Sequence, residues 1–210
     1  MLQEKIKNVL IEKFDPDAII IHGSRARGFE REHSDWDFFL LYKLQTTHKS
    51  GRMSVDGQNI EYTIATLPIA DMWDTFGAKL SHAQVVYEKD SVGSALLTQA
   101  EKFYNDGVHW SDAKNETHKL WFEGRIEGMR HHISEPEMFY KYFSDLYSRL
   151  TNYWYWIKQH KHSEPIYIAI PEITDKDPKY ADLLKKFTSP NTTLKYKVEI
   201  AKQIHDHLFV

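Results

Sequence analysis

The chain has 210 residues, 41% hydrophobic and 14% aromatic, which suits one or two folded domains and excludes a disordered protein. Its net charge of −3 argues against nucleic acid as a partner, because proteins that release counterions from phosphate backbones usually present a basic surface. The sequence contains no cysteine, which excludes disulfides and thiolate chemistry and fits a reducing compartment.

Membrane and export signals are missing from the sequence. It has no run of 18 apolar residues, and its first residues lack the apolar core of a signal peptide. We therefore expect a cytoplasmic protein without a membrane span.

The first predicted elements are an amphipathic helix and a buried strand. Apolar residues recur at helical spacing from Leu2 to Phe14. Residues 17–23 then form a short, β-branched run bounded by Asp15-Pro16, which predicts a strand.

The turn after this strand has the features of a phosphate-binding segment. Gly23 permits a bend that a side chain would block, and Ser24 stands where a helix could begin with free N–H groups. Arg25 and Arg27 supply guanidinium groups that suit phosphate oxygens, and Gly28 lets the chain leave the helical turn. This combination predicts nucleotide binding by Gly23, Ser24, Arg25 and Arg27.

Two acids follow, at the start of an apolar strand predicted over residues 35–43. Asp35 and Asp37 point to the same side of that strand, because alternate residues share a face. Two carboxylates at roughly 4 Å repel by about 4 kcal/mol at an effective dielectric near 20, so the pair needs a countercharge or a proton. Mg²⁺ suits this position, since it is often held by one or two carboxylates plus water and substrate phosphates. The alternative is a solvated acid pair, and the preceding turn favours the metal.

A third acid is predicted on a hairpin. Asp56-Gly57 is a turn signal between strands predicted at 51–55 and 58–66. In the second strand Glu61 alternates with apolar neighbours, so it faces away from them and could lie beside Asp35 and Asp37. Asp56 is the rival acid, but an aspartate in a turn has a local structural role.

The remaining elements of the first half complete a mixed α/β pattern. We predict a helix from Pro68 with an apolar stripe to Leu80, a short strand at 84–87 and a helix from Ser91 to about Tyr104. The polar segment 44–52 reads as a solvated loop, although Arg52 and its basic neighbours could meet a nucleotide.

A turn cluster at residues 105–107 marks a domain boundary, so we predict domains at 1–107 and 108–210. The second is predicted to be a helical bundle. Its helices are expected at about 111–132, 136–157, 180–187 and 194–208, and residues 163–171 fit either a strand or a helical turn.

The first helix of the bundle carries acids and glycines on neighbouring turns. Glu123 and Glu127 could serve as a general base toward a hydroxyl, or could form a solvated face. Gly124 and Gly128 cost about 1 kcal/mol each in a helix interior, which suggests close helix packing or a ligand. The aromatic run 152–156 fits a core, with stacking on a base or sugar as the alternative.

The segment Gly23-Ser24-Arg25-Ala26-Arg27-Gly28, followed by Ser34-Asp35-Trp36-Asp37 and an apolar strand, resembles the signature of the DNA polymerase β nucleotidyltransferase superfamily. It is most similar to the minimal and the kanamycin-type (antibiotic) nucleotidyltransferases. The resemblance implies an α/β (α+β) fold, with a mixed-sheet catalytic domain at 1–107 and a helical acceptor-binding domain at 108–210.

The resemblance also implies a reaction, the transfer of a nucleoside monophosphate from an NTP, with ATP the expected donor, to a hydroxyl. Asp35 and Asp37 would hold two Mg²⁺ ions, and Glu61 would share the ion at the acceptor oxygen. Ser24 and the backbone near Gly23 would hold the β- and γ-phosphates, while Arg25 or Arg27 would offset charge on pyrophosphate.

The acceptor divides the functional hypotheses. The first is a small hydroxylated molecule such as an aminoglycoside-like compound, favoured by the helical half. The second is a partner protein, modified as antitoxin-type AMPylating nucleotidyltransferases do, although those proteins are usually shorter. The third is a non-catalytic nucleotide-binding protein of the same fold. The sequence leaves the base preference and the oligomeric state open.

Overall fold

The computed structural model describes residues 2–67 and 79–210. The chain divides into two compact units, Met1–Asp106 and Gly107–Val210. Most of the helix predicted from Pro68 lies outside the described residues.

The first unit is a mixed five-stranded sheet with helices. Its strands lie in the order β3-β4-β2-β1-β5, with β2 parallel to β4 and the other neighbours antiparallel. The elements are α1 (Leu2–Phe14), β1 (Ala18–His22), the short α2 (Gly23–Ala26), β2 (Trp36–Tyr42), β3 (Gly51–Val55), β4 (Gln58–Thr66), β5 (Gln84–Glu88) and α3 (Val92–Asp106). The α/β (α+β) fold with a mixed sheet followed by helices is confirmed.

Both faces of the sheet are covered, which explains the nearly continuous apolar run of β2. One core joins α1 to one face and contains Ile6, Leu10, Ile19, Ile21, Phe38 and Leu40. The other joins α3 to the opposite face and contains Ala18, Ile20, Phe39, Leu41, Leu96 and Ala100. Since side chains alternate along a strand, the odd-numbered positions of β2 lie on the face that α3 covers. Asp37 belongs to that set.

The second unit is helical. It contains α4 (Asp112–His131), α5 (Pro136–Tyr147), α6 (Leu150–Tyr153), a π-helix (Trp154–Gln159), α7 (Ile166–Lys176), α8 (Pro178–Thr188) and α9 (Leu194–Phe209). The ambiguous segment 163–171 therefore contributes to a helix and not to a strand.

The continuous helix predicted over residues 136–157 is wrong. After Tyr147 the chain tightens, and the Arg149 N–H bonds to the Leu146 carbonyl at 3.0 Å. The helix resumes at Leu150 and then widens into the π-helix, which ends at His160 in the left-handed conformation. Apolar spacing alone did not reveal this interruption, because the apolar residues on both sides belong to one core.

The aromatic run 152–156 belongs mainly to that core. Tyr153, Trp154 and Tyr155 are fully buried, and the polar atom of Trp154 donates to Asp177 at 3.0 Å. Burial of this kind supports packing and leaves no ring face of these three side chains for a ligand.

The two glycines of α4 have different environments. A Cβ on Gly128 would lie only 2.4 Å from Cδ1 of Tyr142, so this glycine lets α5 pack closely against α4. A Cβ on Gly124 would meet no described atom within 4 Å. Close helix packing therefore explains Gly128 but not Gly124.

Candidate active site

A row of polar side chains crosses four adjacent strands on one face of the sheet. His22 of β1 is the register partner of Asp37 of β2, and Asp37 is the partner of Glu61 of β4. Glu61 is in turn the partner of Arg52 of β3. Because register partners on adjacent strands project to the same side, these four residues form one polar row.

Asp37 is the central acid of the polar row. Burial raises its pKa, and the negative charges of Glu61 and Asp35 raise it further. Lys79 and Arg25 act in the opposite direction without cancelling the effect. The Asp37 carboxylate is thus an anion among anions, which favours binding of a proton or a cation.

The Gly23 turn meets Asp37 directly. Gly23 has φ +73°, which disfavours any side chain, and a Cβ there would overlap Oδ2 of Asp37. Glycine is therefore required at this position both by the backbone conformation and by the space that the carboxylate occupies. The structure brings the predicted phosphate turn and the predicted acidic site together at this point.

Arg25 joins the turn to the segment that carries Asp35. Its Nη2 donates to the Ser34 carbonyl at 2.7 Å, and its Nε donates to the Asp35 carbonyl at 3.3 Å. The guanidinium also lies over the Trp36 ring, 4.3 Å from the centroid. These contacts give Arg25 a structural role in holding the segment before β2, which the sequence did not predict. Ser24 lies within the same short helix, and Arg27 follows it directly.

Glu61 shares a face with Asp37 but is engaged by Arg52. Its Oε2 accepts hydrogen bonds from Nε and Nη2 of Arg52 at 2.9 and 2.7 Å. Over residues 2–67 and 79–210, no three His, Asp or Glu side chains lie close enough together to hold a metal ion as they stand. Of the acids predicted for the metal site, Asp37 and Glu61 thus lie in one row, yet Glu61 points to Arg52, and Asp35 stands one residue before β2.

His22 is a member of the polar row that sequence reasoning missed. Burial lowers its pKa to about 4, and the positive charge of Lys79 contributes. Its ring packs on Phe39, with centroids 4.3 Å apart. The imidazole is therefore neutral beside Asp37. Alternation from Ile20, which faces the same core as Phe39, is the signal that could have placed it there.

The predicted general bases belong to the second unit. Glu123 Oε1 lies 3.2 Å from Nε2 of His205. Glu127 accepts a hydrogen bond from Arg130 at 2.5 Å, which lowers the pKa of the Glu127 carboxyl. Both acids therefore have local partners on the surface of the helical unit.

The second unit also contains a groove of about 770 Å³, in the size range of small-molecule sites. Its lining is mostly apolar and includes Leu150, Ile170, Ile173 and Leu184. Asp182 also lines it, and this acid pairs with Lys186 at 2.5 Å.

Comparison with known proteins relates the first unit to one family. Residues 4–91 match the family described as "Polymerase beta, Nucleotidyltransferase". The match spans 88 of the 210 residues and lies within the first unit, so the first unit is similar to the nucleotidyltransferases of this family.

A solved structure is similar over the whole chain. It is a nucleotidyltransferase-like protein from Exiguobacterium sibiricum 255-15, with a TM-score of 0.55 and 13% identity, covering 100% of this chain and 74% of that chain. At this identity the likeness establishes the fold. No curated protein matches the sequence. Within the described ranges, no helix is long and apolar enough to cross a membrane.

Proposed function

We propose that this protein transfers a nucleoside monophosphate, with ATP as the first candidate donor, to a hydroxyl group of a small acceptor. The observation that carries the proposal is the position of Asp37. This acid lies against the Gly23 turn, and burial, together with the charges of Glu61 and Asp35, raises its pKa above the usual value. A site that collects anions beside a phosphate-type turn is suited to a metal–triphosphate complex.

The carboxylates of Asp35, Asp37 and Glu61 fit Mg²⁺, because carboxylate oxygens are its preferred protein ligands. Asp35, Asp37 and Glu61 would hold the two ions that the superfamily resemblance implies. When bound, these ions would make the acceptor oxygen more nucleophilic and neutralise charge on the departing pyrophosphate.

The chain's own residues would position the reactants. The turn at Gly23 and Ser24 would face the β- and γ-phosphates, and Arg27 would offset their charge. Arg25 would keep Asp35 in place through the Ser34 and Asp35 carbonyls.

The proposed transfer forms one bond to the α-phosphorus and breaks another. The acceptor oxygen forms a bond to the α-phosphorus, and the bond from that phosphorus to the bridging oxygen breaks to release pyrophosphate. The acceptor proton passes to a carboxylate, for which we propose Glu61. Glu123 remains the alternative from the second unit, whereas the lowered pKa of Glu127 makes it a weaker base.

We propose that the helical unit binds the acceptor. Its groove of about 770 Å³ has the size of a small-molecule site. The lining is mostly apolar, and its charged members are Glu164, Asp182 and Lys185, with Asp182 paired to Lys186. Such a lining suits an acceptor with an apolar body better than a polycationic aminoglycoside.

Transfer of label from the four α-labelled nucleoside triphosphates tests the function. The protein is incubated with Mg²⁺ and with the small-molecule and protein fractions of a cell lysate. We expect label on a small compound, lost in Asp37→Asn and retained in Asp56→Asn, which changes the turn acid paired with Lys5. Label on a protein band would indicate an AMPylating enzyme, and absence of Mg²⁺-dependent nucleotide binding would indicate a non-catalytic protein.

A further inference from the structure

The polar row ends on the edge strand β3 with a positively charged residue, Arg52, although a metal site needs negatively charged ligands. Arg52 lies on β3 directly beside Glu61, with two hydrogen bonds to one carboxylate oxygen. Arg52 therefore already occupies a carboxylate that would attract a divalent cation.

We propose that Arg52 is a displaceable counter-ion of Glu61, which competes with a divalent cation for this carboxylate and so sets the metal affinity of the site. The inference rests on the proposed function, because it assumes that the acids of the polar row bind metal. It makes Arg52 a positioning residue, since it acts on the site through Glu61.

The exposure of the pair makes displacement feasible. The side chain of Arg52 is 79% exposed and that of Glu61 is 45% exposed. Exposed ion pairs are weak, so a divalent ion can replace this one. Water can solvate the released guanidinium at once, because β3 is an edge strand of the sheet.

The arrangement also explains why the three acids do not converge. Two hydrogen bonds hold the Glu61 carboxylate toward β3, away from the opposite neighbour of β4, which is β2 with Asp37. Released from Arg52, Glu61 can turn within its own side-chain rotamers toward Asp37, since both project from the same face. No movement of the sheet is required.

The test measures Mn²⁺ binding to the full-length, nucleotide-free protein by electron paramagnetic resonance. We expect Arg52→Met to bind Mn²⁺ at least about threefold more tightly than the wild type, because it removes both the competing ion pair and a repelling charge. Arg52→Lys keeps the charge and should stay within about twofold of the wild type. Lys5→Met is the matched control, since it removes another exposed ion pair of the first unit, with Asp56, and should leave binding unchanged.

Two results separate failure of this inference from failure of the proposed function. If Asp37→Asn weakens Mn²⁺ binding but Arg52→Met binds no more tightly than the wild type, Arg52 does not compete with the metal and only this inference is overturned. If Asp37→Asn binds Mn²⁺ as well as the wild type, or if no variant binds it, the metal site itself is overturned. Circular dichroism of each variant, together with Arg52→Gln as a second neutral substitution, separates these effects from misfolding.

Discussion

Two partly buried aspartates, Asp37 in the sheet and Asp177 in the helical unit, are satisfied in different ways. Asp177 caps α8 by accepting from the Tyr180 N–H at 3.0 Å, and its other oxygen contacts Nε2 of His207 at 2.7 Å and Nε1 of Trp154 at 3.0 Å. Burial alone would raise its pKa, but these partners, led by His207, hold the pKa of Asp177 below its usual value.

Asp37 has the opposite balance, because burial and two neighbouring acids raise its pKa. Hydrogen-bond partners within the protein satisfy the Asp177 carboxylate, whereas the Asp37 carboxylate lies near two further negative charges. The first arrangement stabilises a fold, and the second favours a ligand that brings positive charge. This contrast separates Asp177, whose partners give it a structural role, from Asp37, which we propose to be functional.

Outside the acids themselves, the largest effect is expected from Gly23→Ala, which directly disturbs Asp37. The added Cβ would overlap Oδ2 of Asp37 in a backbone conformation with φ +73°, so the carboxylate must move. We expect transfer activity to fall by about a hundredfold, since a displacement near 1 Å can have that cost.

Gly28→Ala is the matched control for this change. Gly28 has φ +71°, and a Cβ there would meet no described atom within 4 Å. The backbone strain is thus similar without the overlap at Asp37. Equal loss of activity in both variants would show that strain, and not the position of Asp37, limits the reaction.

A stability loss without an activity loss is expected from Asp177→Asn. The substitution removes a charged acceptor of three partners, so we expect the free energy of unfolding to fall by about 2–3 kcal/mol. Transfer activity at a temperature where the variant remains folded should be unchanged. Urea unfolding and the labelled-nucleotide assay measure the two effects, and a variant of full stability would contradict the structural role.

A smaller effect is expected from the pH dependence of stability in His22→Gln. The folded protein holds the pKa of His22 at about 4, below its ordinary 6.5, so the unfolded chain takes up the proton first as the pH falls. His22 therefore lowers stability progressively from pH 6.5 toward pH 4. The variant should lose about 2 kcal/mol less than the wild type across this window in metal-free buffer. Parallel stability curves for the two proteins would mean that His22 is not held neutral.

Local patterns predicted much of the sheet. The strands at 18–22, 36–42, 51–55 and 58–66 lie within a residue of the predicted ranges, because short β-branched runs with turn signals identify strands well. The placement of Glu61 on a face shared with Asp37 followed from alternation along the chain, and the register of β2 with β4 agrees with it.

Long-range pairing accounts for what the sequence did not predict. The pairing of Glu61 with Asp37 of β2 depends on which strands pair and in which register, which local pattern does not encode. For the same reason, local pattern identifies His22 only as the end of a strand. The pairing of Glu61 with Arg52 follows from the predicted two-residue turn at Asp56-Gly57, but the sequence analysis did not draw it. In the helical unit, the interruption after Tyr147 follows from packing within one core, which apolar spacing does not encode.

The stability of Asp37→Asn in metal-free buffer tests the central claim most directly. If the Asp37 carboxylate is an uncompensated charge, its native pKa lies above the unfolded value, so the wild type loses stability as the pH rises through that window. We therefore expect Asp37→Asn to be more stable than the wild type at pH 7 with EDTA. This gain in stability should disappear below pH 3.8, the ordinary pKa of an aspartate. Mg²⁺-ATP should stabilise only the wild type. A variant that is less stable than the wild type at pH 7, yet still stabilised by Mg²⁺-ATP, would contradict the central claim.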